Sequence, residues 1–303
     1  MKITFLGAGV FGSALAKIAE ENGHEVRFYD PYKYPDITLG DATHGSDLNI
    51  YTAPSSAAND ILPNLEKTAP LICASKGFLS LKPFEDFENI SALGGAGFAK
   101  DIESAADSEN SEGSESLKSP KVIFTTSSET AEHVFSTENT RLEFTTDTLG
   151  IILCGALKNV YAIGAGLYGE SDSSAASMPY LESAISEMQQ ILKANHADPE
   201  TLRLSCGAAD LVLSCAEGSR NFRFGKTLKE KAQAESIQAQ AESPQAQAES
   251  IQAQALSKMP QAETIEGLHV INSIKDTPDF IIPESAEIFK DIIKIVKETY
   301  DTK

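Results

Sequence analysis

The chain has 303 residues, of which 41% are hydrophobic, so it is long enough for two domains that each bury a core. Asp and Glu outnumber Lys and Arg by 44 to 25, and the resulting formal charge of -19 repels nucleic acids and anionic membranes. We therefore expect neither as a partner. We also expect no membrane insertion, because the apolar runs fall short of the ~20 residues that cross a bilayer.

The cysteines and the N-terminal segment indicate the compartment. The N-terminal apolar stretch is interrupted by glycines, and no convincing signal-peptide cleavage site follows it. The cysteines form no CxxC pair and have no metal-ligand spacing. We expect reduced thiols, no metal site and a cytoplasmic protein, with four isolated cysteines: Cys73, Cys154, Cys206 and Cys215.

The first half of the chain reads as strands that alternate with helical or loop segments. Lys2–Leu6 predicts a buried strand, residues 11–22 a helix that Gly23 ends, and Glu25–Tyr29 a second strand. Such alternation is typical of an α/β fold with a mostly parallel, doubly wound sheet. We assign residues 1–147 to a Rossmann-type dinucleotide-binding domain, with further strands at 48–51, 71–74, 90–93, 122–125 and 142–145.

Residues 148–303 read as an all-α substrate domain, with helices at 149–167, 179–194 and 285–299. Two low-complexity segments interrupt the chain. A segment rich in Ser, Glu, Asp and Gly at about 105–120 predicts a disordered surface loop. A seven-residue repeat of the type AQAESIQ at about 232–258 has too few large apolar residues for a coiled coil, and Pro244 breaks it. We expect a solvated or partly helical insertion there.

A GxGxxG motif follows the first strand and opens the first helix. Gly7 allows the tight turn, Gly9 lets a pyrophosphate approach the backbone, and Gly12 lets the helix pack on the strand. The unpaired N–H groups of the helix N-terminus attract phosphate. This context predicts a dinucleotide site rather than a merely glycine-rich turn.

Asp30 ends the second strand, 18 residues after Gly12. A carboxylate there accepts hydrogen bonds from the adenosine ribose and repels a 2'-phosphate, which favours NAD over NADP without excluding NADP. The alternative is that Asp30, followed by Pro31, only starts a turn.

Five further blocks narrow the chemistry. Read with their order and spacing, they resemble the bacterial NAD(P)-dependent glycerol-3-phosphate dehydrogenase family over nearly the whole chain outside the two low-complexity segments. The most specific are the GALKNV and SRN blocks. They are Ala74-Ser75-Lys76-Gly77, Gly94-Gly95-Ala96-Gly97-Phe98-Ala99-Lys100, Gly155-Ala156-Leu157-Lys158-Asn159-Val160, Ala209-Asp210-Leu211 with Ser219-Arg220-Asn221, and Thr264-Ile265-Glu266-Gly267.

The resemblance implies the interconversion of dihydroxyacetone phosphate and sn-glycerol 3-phosphate, which feeds glycerophospholipid synthesis. Lys158 matches the proton-transfer lysine; the alternative is a surface lysine whose stem lies along apolar groups. Lys76 matches a lysine that contacts substrate and cofactor, and Asp210 a carboxylate that binds substrate or steadies Lys158. We therefore treat Lys158, Lys76 and Asp210 as the catalytic set.

The resemblance also assigns binding residues. Arg220 offers a planar fork for the substrate phosphate, and the alternative is a structural ion pair. The implied substrate contacts are Lys76, Gly95, Gly97, Asp210, Ser219, Arg220 and Asn221. The implied cofactor contacts, beyond Gly7, Gly9, Gly12 and Asp30, are Val10, Phe11, Pro54, Lys76, Ala99, Arg220 and Glu266. A homodimer is common in the family, and nothing in the sequence itself demonstrates one.

Departures from the family pattern leave other functions open. Gly97 replaces a residue whose hydroxyl would bond the substrate, a loss of about 0.5 to 1.5 kcal/mol. The segment 170–180 is Ser-rich, and Ala209 replaces a glycine. One alternative is a related β-hydroxyacid dehydrogenase, which would not depend on Arg220. Another is a catalytically weak dinucleotide-binding regulatory protein, which would bind cofactor without turnover.

Overall fold

The computed structural model describes residues 1–97, 102, 120–169, 174–240 and 265–300. The chain divides into two compact units. The first unit comprises Met1–Gly155 and Glu200–Asp210, and the second comprises Ala156–Pro199 and Leu211–Lys303.

Within the described residues, the first unit is built on one sheet of seven strands in the order β2-β1-β3-β4-β5-β6-β7. All neighbouring pairs are parallel except β5 and β6, which are antiparallel. The predicted Rossmann-type sheet is therefore confirmed. Its strands are β1 Lys2–Leu6, β2 Glu25–Tyr29, β3 Leu48–Tyr51, β4 Leu71–Cys73, β5 Ile90–Ala96, β6 Val122–Thr126 and β7 Thr140–Phe144.

The central strands are continuous apolar runs because helices and loops cover both faces of the sheet. All four residues of β3 are buried, and Ile3, Phe5 and Leu15 join the same core. Gly23, at φ +79, ends the first helix, and the Gly23 N–H donates to Glu20 O, as its predicted capping role requires. The helices of this unit are α1 Val10–Glu21, α2 Leu39–Thr43, α3 Ala58–Ile61 and α4 Glu129–Phe135.

The strand order fixes where a ligand can bind. From β1 the chain moves to β2 on one side and then to β3 on the other, so the carboxyl ends of β1 and β3 form the switch point of the sheet. Ligands of open α/β sheets bind in the crevice at such a point. The glycine turn follows β1, and Thr52 to Pro54 follow β3.

The second unit is helical, as predicted. Helix α5, Thr148–Tyr168, starts in the first unit and ends in the second. From the sequence we expected no apolar run long enough to cross a membrane, but this helix is long and apolar enough to do so. Within the protein, however, 89% of its most apolar window is buried. The other helices are α6 Ser174–Ala194, α7 Asp210–Ser214, which begins at the last residue of the first unit, α8 Arg220–Gln240, α9 Glu266–Ser273 and α10 Glu287–Tyr300.

The division differs from the predicted boundary at 147/148. It falls after Gly155, inside α5, and residues 200–210 join the first unit. The reason is a short segment kinked at Gly207, Ser205–Ala209, that binds the sheet. Ser205 Oγ donates to Ile123 O at 2.6 Å and accepts from Ala96 N at 3.2 Å, so this side chain bridges β5 and β6.

The low-complexity segments are only partly described. Residues 105–119, which hold most of the predicted loop, lie outside the described residues. Helix α8 continues to Gln240, so the first part of the repeat is helical. Residues 241–258 of the repeat lie outside the described residues.

Candidate active site

The glycine turn at the end of β1 can be built only with glycines at two of its three positions. Gly7 has φ +117, and a Cβ there would lie 2.6 Å from Ala53 N. A Cβ at Gly12 would lie 2.7 Å from Thr52 Oγ1. The same Thr52 hydroxyl donates to Gly7 O at 2.7 Å. The residue after β3 thus fixes the turn after β1, a contact that sequence reasoning missed.

Gly9 has a different role. A Cβ at Gly9 would meet nothing within 4 Å, so packing within the protein does not require a glycine there. Gly9 is the N-cap of α1, it makes no side-chain cap hydrogen bond, and the first turn of α1 carries no acidic residue. The neighbouring Val10 is 68% exposed. These features leave the helix N-terminus open to an anion.

Asp30 is held against the glycine turn. Its Oδ2 accepts from Ala8 N at 2.9 Å, and its Oδ1 accepts from Tyr32 N at 3.0 Å and Lys33 N at 3.1 Å. Asp30 therefore does start a turn, the alternative considered from the sequence. The turn also fixes the carboxylate beside the dinucleotide motif, where a ribose acceptor is required.

Lys76, Asp210 and Phe11 come together in the first unit. Lys76 Nζ lies 3.5 Å from Asp210 Oδ2 and 5.4 Å from the centre of the Phe11 ring. The Asp210 side chain is 3% exposed and that of Lys76 is 20% exposed. An ion pair and a cation–π contact thus orient a lysine whose charge is only partly desolvated.

A small cleft surrounds this pair. The lysine stem packs on Gly155, and a Cβ at that position would make only an ordinary contact, at 3.6 Å from Lys76 Cγ. Burial raises the pKa of the Cys73 thiol to about 12, so this lining residue is a neutral thiol. The cleft is lined by Cys73, Ser75, Lys76, Leu93, Gly94, Ile151, Ile152, Gly155, Cys206 and Asp210.

The glycines at the end of β5 and just after it differ in how strictly the fold needs them. Gly95 has φ +158, and a Cβ would lie 2.5 Å from Ile123 O. A Cβ at Gly97 would make only ordinary contacts, the nearest at 3.4 Å from Val122 Cγ1. The fold therefore does not demand the departure from the family at Gly97. Ala99, the predicted cofactor contact in this block, lies outside the described residues.

In the second unit, Lys158 and Asn159 are buried side by side on α5, at 3% and 2% exposure. The alternative of a surface lysine is therefore wrong. Cys215 lies close enough for the positive charge of Lys158 to act on it: burial raises the pKa of the Cys215 thiol to about 12, and Lys158 opposes the rise. Cys215 is a neighbour that sequence reasoning did not identify.

Asn221 joins two predicted blocks. Its Nδ2 donates to Asn159 Oδ1 at 3.0 Å, and its Oδ1 accepts from Gly267 N at 2.9 Å. Asn221 is 3% exposed. It therefore ties the GALKNV helix to the start of α9, and these bonds position Asn159 whatever else Asn221 contacts.

Arg220 and Glu266 form an ion pair in the second unit, with Arg220 NH2 3.1 Å from Glu266 Oε1 and both side chains more than 40% exposed. An exposed pair of this kind adds little stability. Ser219 is buried, and its Oγ accepts a long hydrogen bond of 3.5 Å from Phe222 N at the start of α8. Arg220 is thus the group of the SRN block that is most open to a ligand.

The remaining predicted groups are also placed. Pro54 is exposed after β3, and its carbonyl accepts from Tyr51 OH at 2.9 Å. Among the described residues, no group of three or more His, Cys, Asp or Glu side chains is arranged to hold a metal ion. All four cysteines are free thiols.

The chain is similar to known glycerol-3-phosphate dehydrogenases. The chain is 27% identical to glycerol-3-phosphate dehydrogenase (NAD(P)+) of Oceanobacillus iheyensis, over 79% of each chain. It is also 27% identical to the Leptospira biflexa protein of the same name, over 93% of this chain and 96% of that one. A solved glycerol-3-phosphate dehydrogenase from Coxiella burnetii shares the fold, with a TM-score of 0.73 at 21% identity over 99% of this chain and 95% of that one.

Two domain families match the chain directly. Residues 2–35, which hold the glycine turn and Asp30, match the N-terminus of NAD-dependent glycerol-3-phosphate dehydrogenase. Residues 147–303, which hold Lys158, Asp210, Arg220 and Glu266, match the C-terminus of the same enzymes. With more than half of its length matched and the motif residues in place, this chain belongs to the NAD-dependent glycerol-3-phosphate dehydrogenase family.

Proposed function

We propose that this enzyme interconverts dihydroxyacetone phosphate and sn-glycerol 3-phosphate, with NADH as the preferred reductant and Lys158 as the acid. The observation that carries the proposal is the burial of Lys158 beside Asn159, at 3% exposure, in the helix that carries the most specific family block. A buried lysine is costly to keep charged, and such residues are typical of functional sites.

The residues around the glycine turn fit a dinucleotide. The uncapped start of α1 supplies N–H donors for a pyrophosphate, and the absent side chain of Gly9 leaves space for it. The Asp30 carboxylate, oriented by Ala8 N–H, accepts hydrogen bonds from the ribose hydroxyls. Membership of the family gives NAD(P), and Asp30 supports NAD as the preferred form.

A nicotinamide dinucleotide held by the glycine turn and Asp30 would supply a hydride to C2 of the ketone. Lys158 donates its proton to the C2 oxygen as negative charge develops there, and in the reverse direction it accepts that proton. Lys76, held by Asp210 and Phe11, supplies a second positive charge for substrate and cofactor. The exposed Arg220 fork binds the phosphate, and Glu266 restrains that fork while the site is empty.

The cellular role follows from this chemistry. Glycerol 3-phosphate is the backbone of glycerophospholipids, and we assign the enzyme to its synthesis in the cytoplasm. The free state of all four thiols supports a reducing compartment. The burial of α5 supports a helix that packs in a protein core rather than in a membrane.

The test is the oxidation of NADH and NADPH by dihydroxyacetone phosphate, with wild type, Lys158→Ala and Lys294→Ala. Lys294 is an exposed lysine of α10 and serves as the matched control. We expect Lys158→Ala to lose about 100-fold or more in kcat, the contribution of a positioned general acid, and Lys294→Ala to keep wild-type rates. Folding is verified by circular dichroism and thermal unfolding.

Arg220→Gln separates the phosphate-bearing substrate from a β-hydroxyacid. We expect KM for dihydroxyacetone phosphate to rise about tenfold or more, as for a lost charge-assisted contact, and by a larger factor than KM for NADH. Arg203→Gln breaks a more exposed Arg–Glu pair at 2.8 Å and should leave both constants unchanged. A folded wild type that binds NADH but turns over only hydroxyacids, or nothing, overturns the proposal.

A further inference from the structure

Two oppositely charged side chains hold one residue of the glycine turn. The Asp30 carboxylate accepts from Ala8 N at 2.9 Å, and the Lys33 ammonium donates to Ala8 O. The Asp30 carboxylate also accepts from Lys33 N at 3.1 Å, so the two residues are tied to each other. We call Asp30 and Lys33 together the Ala8 clip.

The clip completes the restraint of the turn. Gly7 N donates to Tyr29 O at 2.8 Å, and Gly7 O accepts from Thr52 Oγ1 at 2.7 Å. The N–H and C=O groups of both Gly7 and Ala8 therefore have partners within the first unit. The next N–H groups along the chain begin α1, which has no side-chain cap. The clip thus sets the backbone from which those donors project.

We propose that Lys33 is a positioning residue for dinucleotide binding: through the Ala8 clip it fixes the glycine turn, and it acts equally on NADH and NADPH. The proposal rests on the proposed function only in placing the dinucleotide at the glycine turn. It also gives Asp30 a second role beside ribose recognition, because Asp30 holds the N–H of the residue whose C=O Lys33 holds.

Two features favour positioning over direct contact with a 2'-phosphate. The Lys33 ammonium donates to Ala8 O, a neutral backbone acceptor that is present whichever cofactor binds. It also lies on the turn shaped by the Asp30 carboxylate, whose negative charge opposes a 2'-phosphate. Ser13 Oγ donates to the same Ala8 O at 3.2 Å, so removing Lys33 weakens the restraint without abolishing it.

The experiment measures Kd for NADH and for NADPH, by fluorescence titration without substrate, for Lys33→Met, Lys33→Arg and Lys67→Met. Lys67 is paired with Asp86. Lys67→Met is the control, because it changes the net charge of the protein by the same amount as Lys33→Met. We expect Lys33→Met to raise both Kd values by the same factor, about three- to tenfold, as for one lost hydrogen bond. Lys33→Arg should restore them, and Lys67→Met should leave them unchanged.

Kinetics add a readout that a general loss of structure would not give. In Lys33→Met, KM for NADH should rise while kcat at saturating NADH stays at the wild-type value. If Lys33→Met is poorly folded, Lys33→Gln, which keeps a donor without the charge, should show a smaller rise of the same pattern. A rise for NADPH alone would make Lys33 a direct phosphate ligand and overturn the proposal, as would unchanged Kd values. Because these titrations need no substrate, failure of turnover with dihydroxyacetone phosphate leaves their outcome intact.

Discussion

Lys76 Nζ lies 3.5 Å from the carboxylate of Asp210, the residue that follows the kinked segment Ser205–Ala209 on the sheet. Asp210 is 3% exposed in its side chain, whereas Lys76 keeps 20% exposure. The buried partner is thus the carboxylate, and the lysine presents its charge toward the cleft. Asp210 orients Lys76 and lowers the cost of placing that charge in a partly apolar cleft.

Replacing Asp210 by Asn removes that orienting charge. We expect kcat/KM for dihydroxyacetone phosphate to fall about tenfold or more, because the Lys76 ammonium loses the charged partner of its 3.5 Å ion pair. The free energy of unfolding should fall by less than the roughly 3 to 5 kcal/mol of a fully buried pair, since solvent screens Lys76. Steady-state kinetics and urea unfolding measure the two effects. Asp86→Asn, which breaks the exposed Lys67 pair, is the control, and an unchanged kcat/KM in Asp210→Asn would contradict the assignment.

A serine at position 97 should restore the hydroxyl that Gly97 lacks relative to the family pattern. A Cβ at Gly97 would lie 3.4 Å from Val122 Cγ1, so Gly97→Ser fits with ordinary contacts. We expect KM for dihydroxyacetone phosphate to fall about two- to tenfold, the gain from one neutral hydrogen bond. Gly97→Ala, which adds the Cβ without the hydroxyl, is the control. Equal kinetics for Gly97→Ser and Gly97→Ala would show that the hydroxyl does not reach the substrate.

Replacing a glycine that packing requires should lower stability, whereas replacing a glycine that a ligand requires should weaken binding. A Cβ at Gly225 of α8 would overlap the Ile163 carbonyl of α5, whereas a Cβ at Gly9 meets nothing within 4 Å. Gly225→Ala should lower the free energy of unfolding by about 2 kcal/mol or more. Gly9→Ala should unfold like wild type, because its φ of -65 suits alanine, yet bind NADH more weakly. Thermal unfolding and NADH titration of both variants check this, and destabilised Gly9→Ala would disprove the distinction.

The sheet could be predicted because its central strands carry a simple signal. Leu48–Tyr51 is a short apolar run, and it forms a strand with all four residues buried. Helix α8 was not predicted, because its second half merges into the alanine- and glutamine-rich repeat, where apolar periodicity is weak. The place of Ser205–Ala209 could not be predicted either, since side-chain bonds of Ser205 to β5 and β6 decide it.

Some features of the candidate site could also be predicted from the sequence, and others could not. The glycine turn was predictable from spacing alone, and Lys158 came from the family resemblance. The pairing of Lys76 with Asp210 was not predictable, because the two residues are distant in sequence and only the fold brings them together. Lys33 was not predicted, because its bond to Ala8 O joins residues 25 positions apart and only the fold brings them together.

Stability at alkaline pH should depend on Cys73. Burial raises the pKa of this thiol from 9.0 to about 12, so the folded protein keeps a proton that the unfolded chain loses. This contribution is complete below pH 9 and is lost as the pH rises toward about 12, with a slope of up to about 1.4 kcal/mol per pH unit. Cys73→Ala should therefore lose stability less steeply than wild type in urea unfolding across that range. Parallel pH profiles for the two proteins would contradict the buried, protonated thiol.

The start of helix α10 should depend on Glu187 of helix α6. The Glu187 carboxylate accepts from Ile288 N at 2.8 Å and from Phe289 N at 3.0 Å, and it also accepts from Tyr161 OH at 2.9 Å. An amide has one acceptor oxygen, so Glu187→Gln leaves a buried N–H unsatisfied and removes the charge from a helix N-terminus. We expect the free energy of unfolding to fall by about 2 to 3 kcal/mol. Glu182→Gln, at an exposed position of the same helix, should stay within about 0.5 kcal/mol of wild type. Equal unfolding free energies for the two variants would mean that the first turn of α10 does not need the carboxylate.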